Sequence, residues 1–273
     1  MHLRPLTDTP LPDIVDCLLD AFRDYPLAMP RDVDYWRRRY RGARVDFACS
    51  FGAFDAGGTL VAFIIHGVDD DGGSRVAFNT GTGVRERARG RALVDALYAF
   101  AKPRLAVAGV TDCRLEVIAS NARAIRVYER LGFRVRRRLR CFGGELSQKP
   151  LTTGLTRVSL GEVLDGRVAR FAWDYRNAGV RALAEHYEGY RVEVAEGTGA
   201  FVIDEAHGTI AQLHVDRGDA VAVLRGVRAL TSSVRVNNVD AGAADWLDAI
   251  GRSGLRPTVE QYEMGVPLTG LRG

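Results

Sequence analysis

The sequence predicts an α/β (α+β) fold in which a mixed central sheet is flanked by helices, and it predicts that this arrangement occurs twice in tandem. Three observations carry the prediction. The first half reads as a meander of strands followed by alternating helices and strands, an order that lays helices on the faces of a sheet. Two strand–turn–helix passages stand close together there, TGTGVRERARGRALVDALYAF from Thr80 and LEVIASNARAIRVYERLGF from Leu115. The chain also matches itself faintly when slid by 122 residues, pairing Gly132 with Gly254, Phe133 with Leu255, Val117 with Val239 and Ala122 with Ala244, the trace a domain-length repeat leaves.

In chain order, a short N-terminal strand leads into a helix over Pro12–Tyr25. Strands follow near Val45–Asp55, Thr59–Gly67 and Ser74–Val84, bounded by Gly, Asp and Ser turn residues. Leu93, Ala96, Leu97 and Phe100 mark the apolar face of a helix over Leu93–Phe100. A strand at Arg114–Ile118 then meets a helix capped by Ser120 or Asn121 and closed by Gly132, before a strand from Phe133 to Phe142. The polar stretch Leu146-Ser147-Gln148-Lys149-Pro150 suits an interdomain linker, which divides the chain into 1–146, a linker at 147–153, and 154–273. The second part repeats the order with strands at Tyr190–Ala195, Ala200–Asp204 and Thr209–Val215 and a helix over Val221–Leu230. A strand at Val234–Val239, a helix through Trp246 to Ile250 and a last strand at Thr258–Met264 complete it.

Composition narrows the function classes. The 273 residues are 47% hydrophobic, enough for packed cores, and no apolar run approaches the roughly 18–20 residues of a membrane-spanning helix. With no signal peptide after Met1, a cytoplasmic protein without a membrane partner is expected. Cys17, Cys49, Cys113 and Cys141 form no CxxC pair and the histidines show no ligand spacing, so reduced buried thiols and no metal are expected. The net charge of +4 rests on arginine, since Lys102 and Lys149 are the only lysines. Arg134, Arg136, Arg138 and Arg140 would share one face of a strand. Without interleaved aromatics, that stripe reads as a solvated or phosphate-attracting rim and not as a nucleic-acid surface.

The run from Leu115 concentrates the chemistry. Tyr128 lies seven residues after Asn121. At about 100° per residue the two side chains return to nearly the same helix face, so both can look into one cleft at the strand's end. The upstream run places an Arg- and Gly-containing turn before a helix N-terminus, whose unpaired N–H groups and positive dipole end suit a pyrophosphate.

Strand, Asn121, Tyr128 and Leu131-Gly132-Phe133 in this order resemble the GNAT superfamily of acetyl-CoA-dependent N-acetyltransferases. The resemblance covers residues 1–146 and implies acetyl-CoA as cofactor, with Asn121 on the pantetheine arm and Tyr128 protonating the departing thiolate. The family's phosphate loop fits in two registers: literal matching takes Arg87, Gly90 and Ala92, whereas spacing from Val84 takes Arg89, with Ala92 and Val94 where glycines are common. The second is preferred, because backbone geometry sets the distance from strand to loop. Cofactor contacts are then expected from Thr82, Gly83, Val84, Arg89, Gly90, Arg91, Ala92, Leu93, Val94, Asp95, Asn121 and Tyr128.

An alkylamine acceptor of pKa near ~10.4 is almost wholly protonated at neutral pH, so a base must act. Glu116 is the first candidate, since LEV-x-x-S-N resembles the ribosomal-protein N-terminal acetyltransferases, in which the Glu is the base. Asp24 is the second. A backbone N–H at Val84 or its neighbour would polarise the thioester carbonyl. Phe22, Asp24, Tyr25 and Tyr35 are expected to line the acceptor pocket. In the second half, Ile250, Ala243 and Asn238 stand where Tyr128, Asn121 and Glu116 stand in the first, and HVDRGDAVAVLRGV has no phosphate loop. A degenerate repeat that helps enclose the acceptor is expected, with a small-molecule amine as acceptor. A protein N-terminus as acceptor, or a catalytically weak CoA-binding regulator or scaffold, is the alternative, and the oligomeric state stays open.

Overall fold

The computed structural model describes residues 1–24, 28–164 and 171–268. Two compact units emerge, the first made of Met1–Val117, Asn121–Arg136 and the C-terminal stretch from Glu263, the second of Ile118–Ser120 and Arg137–Tyr262. In the first unit, β1 (His2–Pro5), β2 (Phe51–Phe54), β3 (Leu60–Asp71) and β4 (Ser74–Val84) form an antiparallel meander in that order. β5 (Asp112–Ile118) lies parallel to β4, paired from Val76↔Asp112 to Asn79↔Leu115. The helix α3 (Leu93–Val107) makes the crossover between them, and α4 (Ala122–Arg130) follows β5.

Opposite the sheet, α1 (Leu11–Ala21) buries Ile14, Val15, Cys17 and Leu18 against Phe63 and Ile65. Close approach of this helix to β4 explains Gly83, where a Cβ would come within 2.6 Å of Phe63 and 2.8 Å of Ala21. Beside α1 runs α2 (Val33–Gly42), capped by the Asp32 carboxylate, which accepts from the N–H groups of Asp34 and Tyr35. Its mean composition is strongly polar, yet Trp36 and Tyr40 are buried at 7% and 5% exposure, one turn apart on the inward face. The sequence analysis did not place this helix, because three consecutive arginines mask a two-residue stripe. The expected helix over Pro12–Tyr25 ends at Ala21, and Tyr25 itself lies outside the described residues.

The second unit repeats the order. β7 (Leu155–Val158), β8 (Glu188–Val194), β9 (Gly197–Asp204) and β10 (Thr209–Gly218) are antiparallel, α7 (Ala220–Leu230) crosses over, and β11 (Ser233–Asp240) is parallel to β10. Two short helices, α5 (Leu160–Leu164) and α6 (Asn177–Ala182), precede β8, and α8 (Ala244–Arg252) follows β11. Its core gathers Val192, Phe201, Val223, Leu224, Val227 and Ile250, all fully buried. The repeat is visible at its joints: β5 ends at Ile118 and β11 at Asp240, α4 starts at Ala122 and α8 at Ala244. Gly132 and Gly254 follow the two helices at φ 96° and 93°, a left-handed turn that glycine makes without Cβ strain.

The units do not follow the 1–146 and 154–273 division read from the sequence. Each repeat's last strand is divided between the two units. β6 (Arg134–Glu145) pairs with β11 from Leu139 to Glu145, inside the second unit. The end of β12 (Arg256–Pro267) lies in the first unit, where β12 neighbours β5 and Leu268 N–H donates to the Thr111 carbonyl at 2.9 Å. A linker search cannot detect such an exchange, since Leu146–Pro150 remains polar wherever the strands beside it end up.

The arginine stripe of β6 is engaged with protein partners. Arg136 bonds Asp112 at 2.6 Å, Arg138 and Arg140 both face Glu260, and Arg134 donates to the Glu129 carbonyl. The four cysteines are free and buried. No helix among the described residues is long and apolar enough to cross a membrane.

Met264 is fully buried in the first unit although more than 120 residues separate it from that unit's other strands. Met264→Ala should therefore destabilise the chain by about 2–5 kcal/mol, as large-to-small core changes do. Urea unfolding, followed by far-ultraviolet circular dichroism, checks this.

Candidate active site

The site forms where β4 and β5 stop pairing. Their ladder ends at Asn79↔Leu115 although β4 continues to Val84 and β5 to Ile118. A bulge prepares the parting: β3–β4 register shifts between Ile65↔Gly81 and His66↔Asn79, so Thr80 is the extra residue. The Asn79 side chain holds the bulge, its Oδ1 accepting from Gly81 N–H and its Nδ2 donating to Thr82 Oγ1 and to Tyr98 Oη, both at 2.6 Å. Thr80 Oγ1 is shielded from solvent and has no hydrogen-bond partner.

Two clefts open from the parting, both within the first unit. One, about 410 Å³, is lined by Thr82, Gly83, Val84, Arg89, Gly90, Arg91, Ala92, Leu93, Val94, Asp95, Asn121 and Tyr128, so every residue expected to touch the cofactor faces one space. The other, about 400 Å³, is lined by Tyr35, Trp36 and Arg39 of α2, by Asn79–Thr82, and by Glu116 of β5. Phe22, Thr82, Asn121, Ala124 and Tyr128 line both. The two clefts thus meet at Tyr128.

The first cleft is built for an anion. Residues Arg85–Ala92 connect β4 to α3, with Gly90 at φ 79° and Ala92 at φ 51° turning the backbone into the helix. No side chain caps α3, whereas Asp32, Asn121 and Asp219 cap α2, α4 and α7. Its first N–H groups therefore remain available to a ligand. Arg91 and Arg123 also line the cleft and have no partner among the described residues. Arg89 is occupied: it pairs with Asp24 at 3.2 Å and donates to the Ala21 carbonyl at 3.1 Å, fastening the loop to the end of α1. Asp95 receives two bonds from Arg130, at 3.0 and 2.8 Å, which hold its carboxyl below the usual range.

Asn121 spends its Oδ1 on the N–H of Ala124, at 3.1 Å, which leaves its Nδ2 unbonded among the described residues. Tyr128 is held edge-on by Tyr98 and Phe133, with ring centroids 6.4 and 5.7 Å away. Tyr98 is fully buried, and desolvation, aided by the neighbouring Tyr128, keeps its hydroxyl well above the usual tyrosine range. It serves as a neutral hydrogen-bonding strut between α3 and the bulge. On β4, Arg85 N–H donates to Val61 across the β3 ladder at 2.8 Å. By the alternation of an antiparallel pair, the N–H groups of Thr82 and Val84 point away from β3, toward the parting.

The structure gathers Phe22, Tyr35 and Glu116 at the second cleft but places Asp24 on the first, bound to Arg89. The sequence analysis missed Trp36, Arg39, Asn79 and Tyr98. Asp32 followed by Val33, Trp36 and Tyr40 was a usable helix signal for the first two. Nothing local announces Asn79 or Tyr98, whose roles arise from a bulge and a tertiary contact.

The second unit has a cavity of about 430 Å³ where β10 and β11 part after Ile210↔Val236, lined by His214, Asn237 and Trp246 among others. It lacks the cradle. Asp219 alone connects β10 to α7, caps Val221 N–H at 2.9 Å, and is clasped by Arg252 at 3.0 and 2.9 Å. A carboxylate thus fills the place that a phosphate would need.

Residues 11–133 match the model of the acetyltransferase (GNAT) family. Among solved structures, a GCN5-related N-acetyltransferase from Sphaerobacter thermophilus superposes with a TM-score of 0.67 at 16% identity, over 98% of this chain and 95% of that one. A putative acetyltransferase from Pyrococcus horikoshii gives 0.67 at 15% identity, over 97% and 89%. A tandem GNAT protein from the clavulanic acid biosynthesis pathway gives 0.65 at 16% identity, over 98% of each chain. Searched against curated proteins, the sequence finds no match. Residues 11–133 thus match a GNAT family model, and the chain as a whole shares the fold of solved GNAT structures, a tandem GNAT protein included.

Ala92 adopts a left-handed conformation that costs a residue with a Cβ roughly 1–2 kcal/mol. Ala92→Gly should remove this cost at the expense of a more flexible unfolded chain, for a net gain of up to about 1 kcal/mol. An upward shift of the urea midpoint is the expected reading.

Proposed function

We propose that the protein is an N-acetyltransferase that moves an acetyl group from acetyl-CoA to the primary amine of a small molecule, by direct transfer in the first unit. One observation carries the reading: an anion-binding cleft and a carboxylate-bearing cleft meet at a single tyrosine, Tyr128. The residues present fit acetyl-CoA, since uncapped N–H groups of α3 with Arg91 and Arg123 suit its phosphates, and Asn121 Nδ2 suits an amide of the pantetheine arm. When bound there, acetyl-CoA supplies the acetyl group as a thioester, already activated toward an amine.

The chain's own residues handle charge and protons. N–H groups of β4 that face the parting stabilise negative charge on the carbonyl oxygen. Glu116, in the second cleft, accepts the amine's proton, directly or through water. Bringing an amine of pKa ~10.4 to its neutral form at pH 7 costs roughly 4–5 kcal/mol, so this step controls the pH dependence. Tyr128 Oη gives a proton to the departing thiolate. A cleft of about 400 Å³ suits a small acceptor, and the partnered arginines of β6 support the absence of a nucleic-acid partner.

Isothermal titration with acetyl-CoA, followed by thiol release on an amine panel, tests the reading. One acetyl-CoA should bind per chain, because Asp219 occupies the corresponding helix N-terminus of the second unit. Gly90→Val should weaken that binding about tenfold or more without unfolding the chain, since φ 79° excludes a β-branched residue while space around the Cβ is open. Two sites per chain, or unchanged affinity in a folded Gly90 variant, would contradict the cradle.

Tyr128→Phe should lower kcat with little change in acetyl-CoA affinity. Glu116→Gln should lose rate at neutral pH and recover it as pH rises toward the amine pKa. Steady-state pH–rate profiles of the two variants decide; flat responses to both would reject these roles.

A further inference from the structure

The second cleft carries one side chain of each charge. Among its described lining residues, Glu116 on β5 is the sole carboxylate and Arg39, in the last turn of α2, is the sole cation. Leu18, Phe22, Met29, Tyr35 and Trp36 supply an apolar and aromatic wall. Asp24 cannot add a second negative charge, because it faces the other cleft in its pair with Arg89. We propose that the acceptor is a free amino acid with an apolar side chain, its amine directed to Glu116 and its carboxylate to the Arg39 guanidinium. The proposal rests on the N-acetyltransferase reading above and adds the chemistry of the acceptor to it.

Charge complementarity argues for this class against the other amines. A diamine or polyamine would bring its second cation into a cleft whose remaining charged group is Arg39, and like charges in a partly desolvated space repel. A protein N-terminus presents a neutral amide where an amino acid has its carboxylate. Arginine's planar fork of donors matches a carboxylate with two parallel hydrogen bonds, and such charge-assisted pairs are the stronger ones. Thr80 Oγ1, buried at the bulge without a hydrogen-bond partner, offers a further polar contact in the same cleft.

The reaction balances with acetyl-CoA as the acyl donor. A bond forms between the amino nitrogen and the acetyl carbon while the carbon–sulfur bond breaks. The ammonium proton passes to Glu116 and on to solvent; Tyr128 gives its proton to the thiolate, and the second proton lost by nitrogen returns through water to the Tyr128 phenolate. The products are an N-acetylamino acid, still bearing its carboxylate, and CoA.

The test compares matched probes: leucine, methionine, phenylalanine and tryptophan, the amines left when each loses its carboxylate, and their α-carboxamides. Thiol release with acetyl-CoA gives kcat/KM, and titration of each probe into the enzyme saturated with CoA gives affinity without turnover. At least one amino acid should exceed its decarboxylated and amidated partners by about tenfold or more in both measurements. Arg39→Gln should lower the value for the amino acid about ten- to hundredfold more than that for the decarboxylated amine, and an unchanged acetyl-CoA titration shows the variant to be folded. Arg39→Lys, with the charge but not the fork, should fall between them.

Equal or better turnover of the decarboxylated amines by the native enzyme would overturn the amino-acid assignment and leave the N-acetyltransferase reading intact. Equal losses on both probes in Arg39→Gln would overturn it as well. Failure of every amino acid to bind or react would reject the proposal, and only the further failure of all amines to release thiol, with acetyl-CoA bound, would reject the reading beneath it.

Discussion

The parting of β4 from β5 is the constraint on which the rest of the site depends. Two parallel strands that remained paired to their ends would satisfy each other's backbone groups and leave nothing for a ligand. Here Thr80 is squeezed out of register, Asn79 ties the resulting kink to Thr82 and to the buried Tyr98, and the strands separate past Leu115. The gap then receives side chains from three directions: α4 from its capped start, α3 from its uncapped one, and α2 from across the sheet. Rigid elements therefore fix each functional group, which is how a site keeps its geometry without a bound partner to organise it.

The second unit keeps the same constraint with different side chains around it. β10 and β11 also separate, after Ile210 and Val236, and α8 begins at the position homologous to α4. Asn121 is answered by Ala243, which leaves α8 without a side-chain cap, and Tyr128 by Ile250, which is fully buried in that unit's core. An aspartate with its own arginine replaces the phosphate loop. The scaffold is shared, while the polar side chains that line the first unit's clefts have apolar or internally paired counterparts in the second. Fold and chemistry come apart residue by residue.

Much of this was legible in the chain. Alternating apolar residues and turn glycines marked most strands, and the Asn121–Tyr128 spacing brought both residues to one cleft, because helical periodicity is local. Thr82–Val84 and Ala88–Asp95 share one cleft for a related reason: they lie close together in sequence, on either side of one short turn. The second cleft was read less well. Arg39 and Trp36 sit on a helix whose arginine run hid its apolar stripe, Asp24 is drawn away by an ion pair with a residue 65 positions distant, and Asn79 acts through a bulge. Strand exchange was invisible for a plainer reason. Periodicity reports that a strand exists and which face it buries, and carries no record of which neighbour it joins.

The place of β12 bears on how the molecule comes into being. Residues around Met264 and Leu268 complete the first unit, yet they are the last of the described chain to leave a ribosome. An N-terminal domain ordinarily folds as soon as it emerges. Here the first unit must wait, with the flank of β5 uncovered, until the chain has been made as far as β12. Its assembly is governed by a contact of very long sequence separation, the kind that slows folding and lengthens exposure of unpaired strand edges.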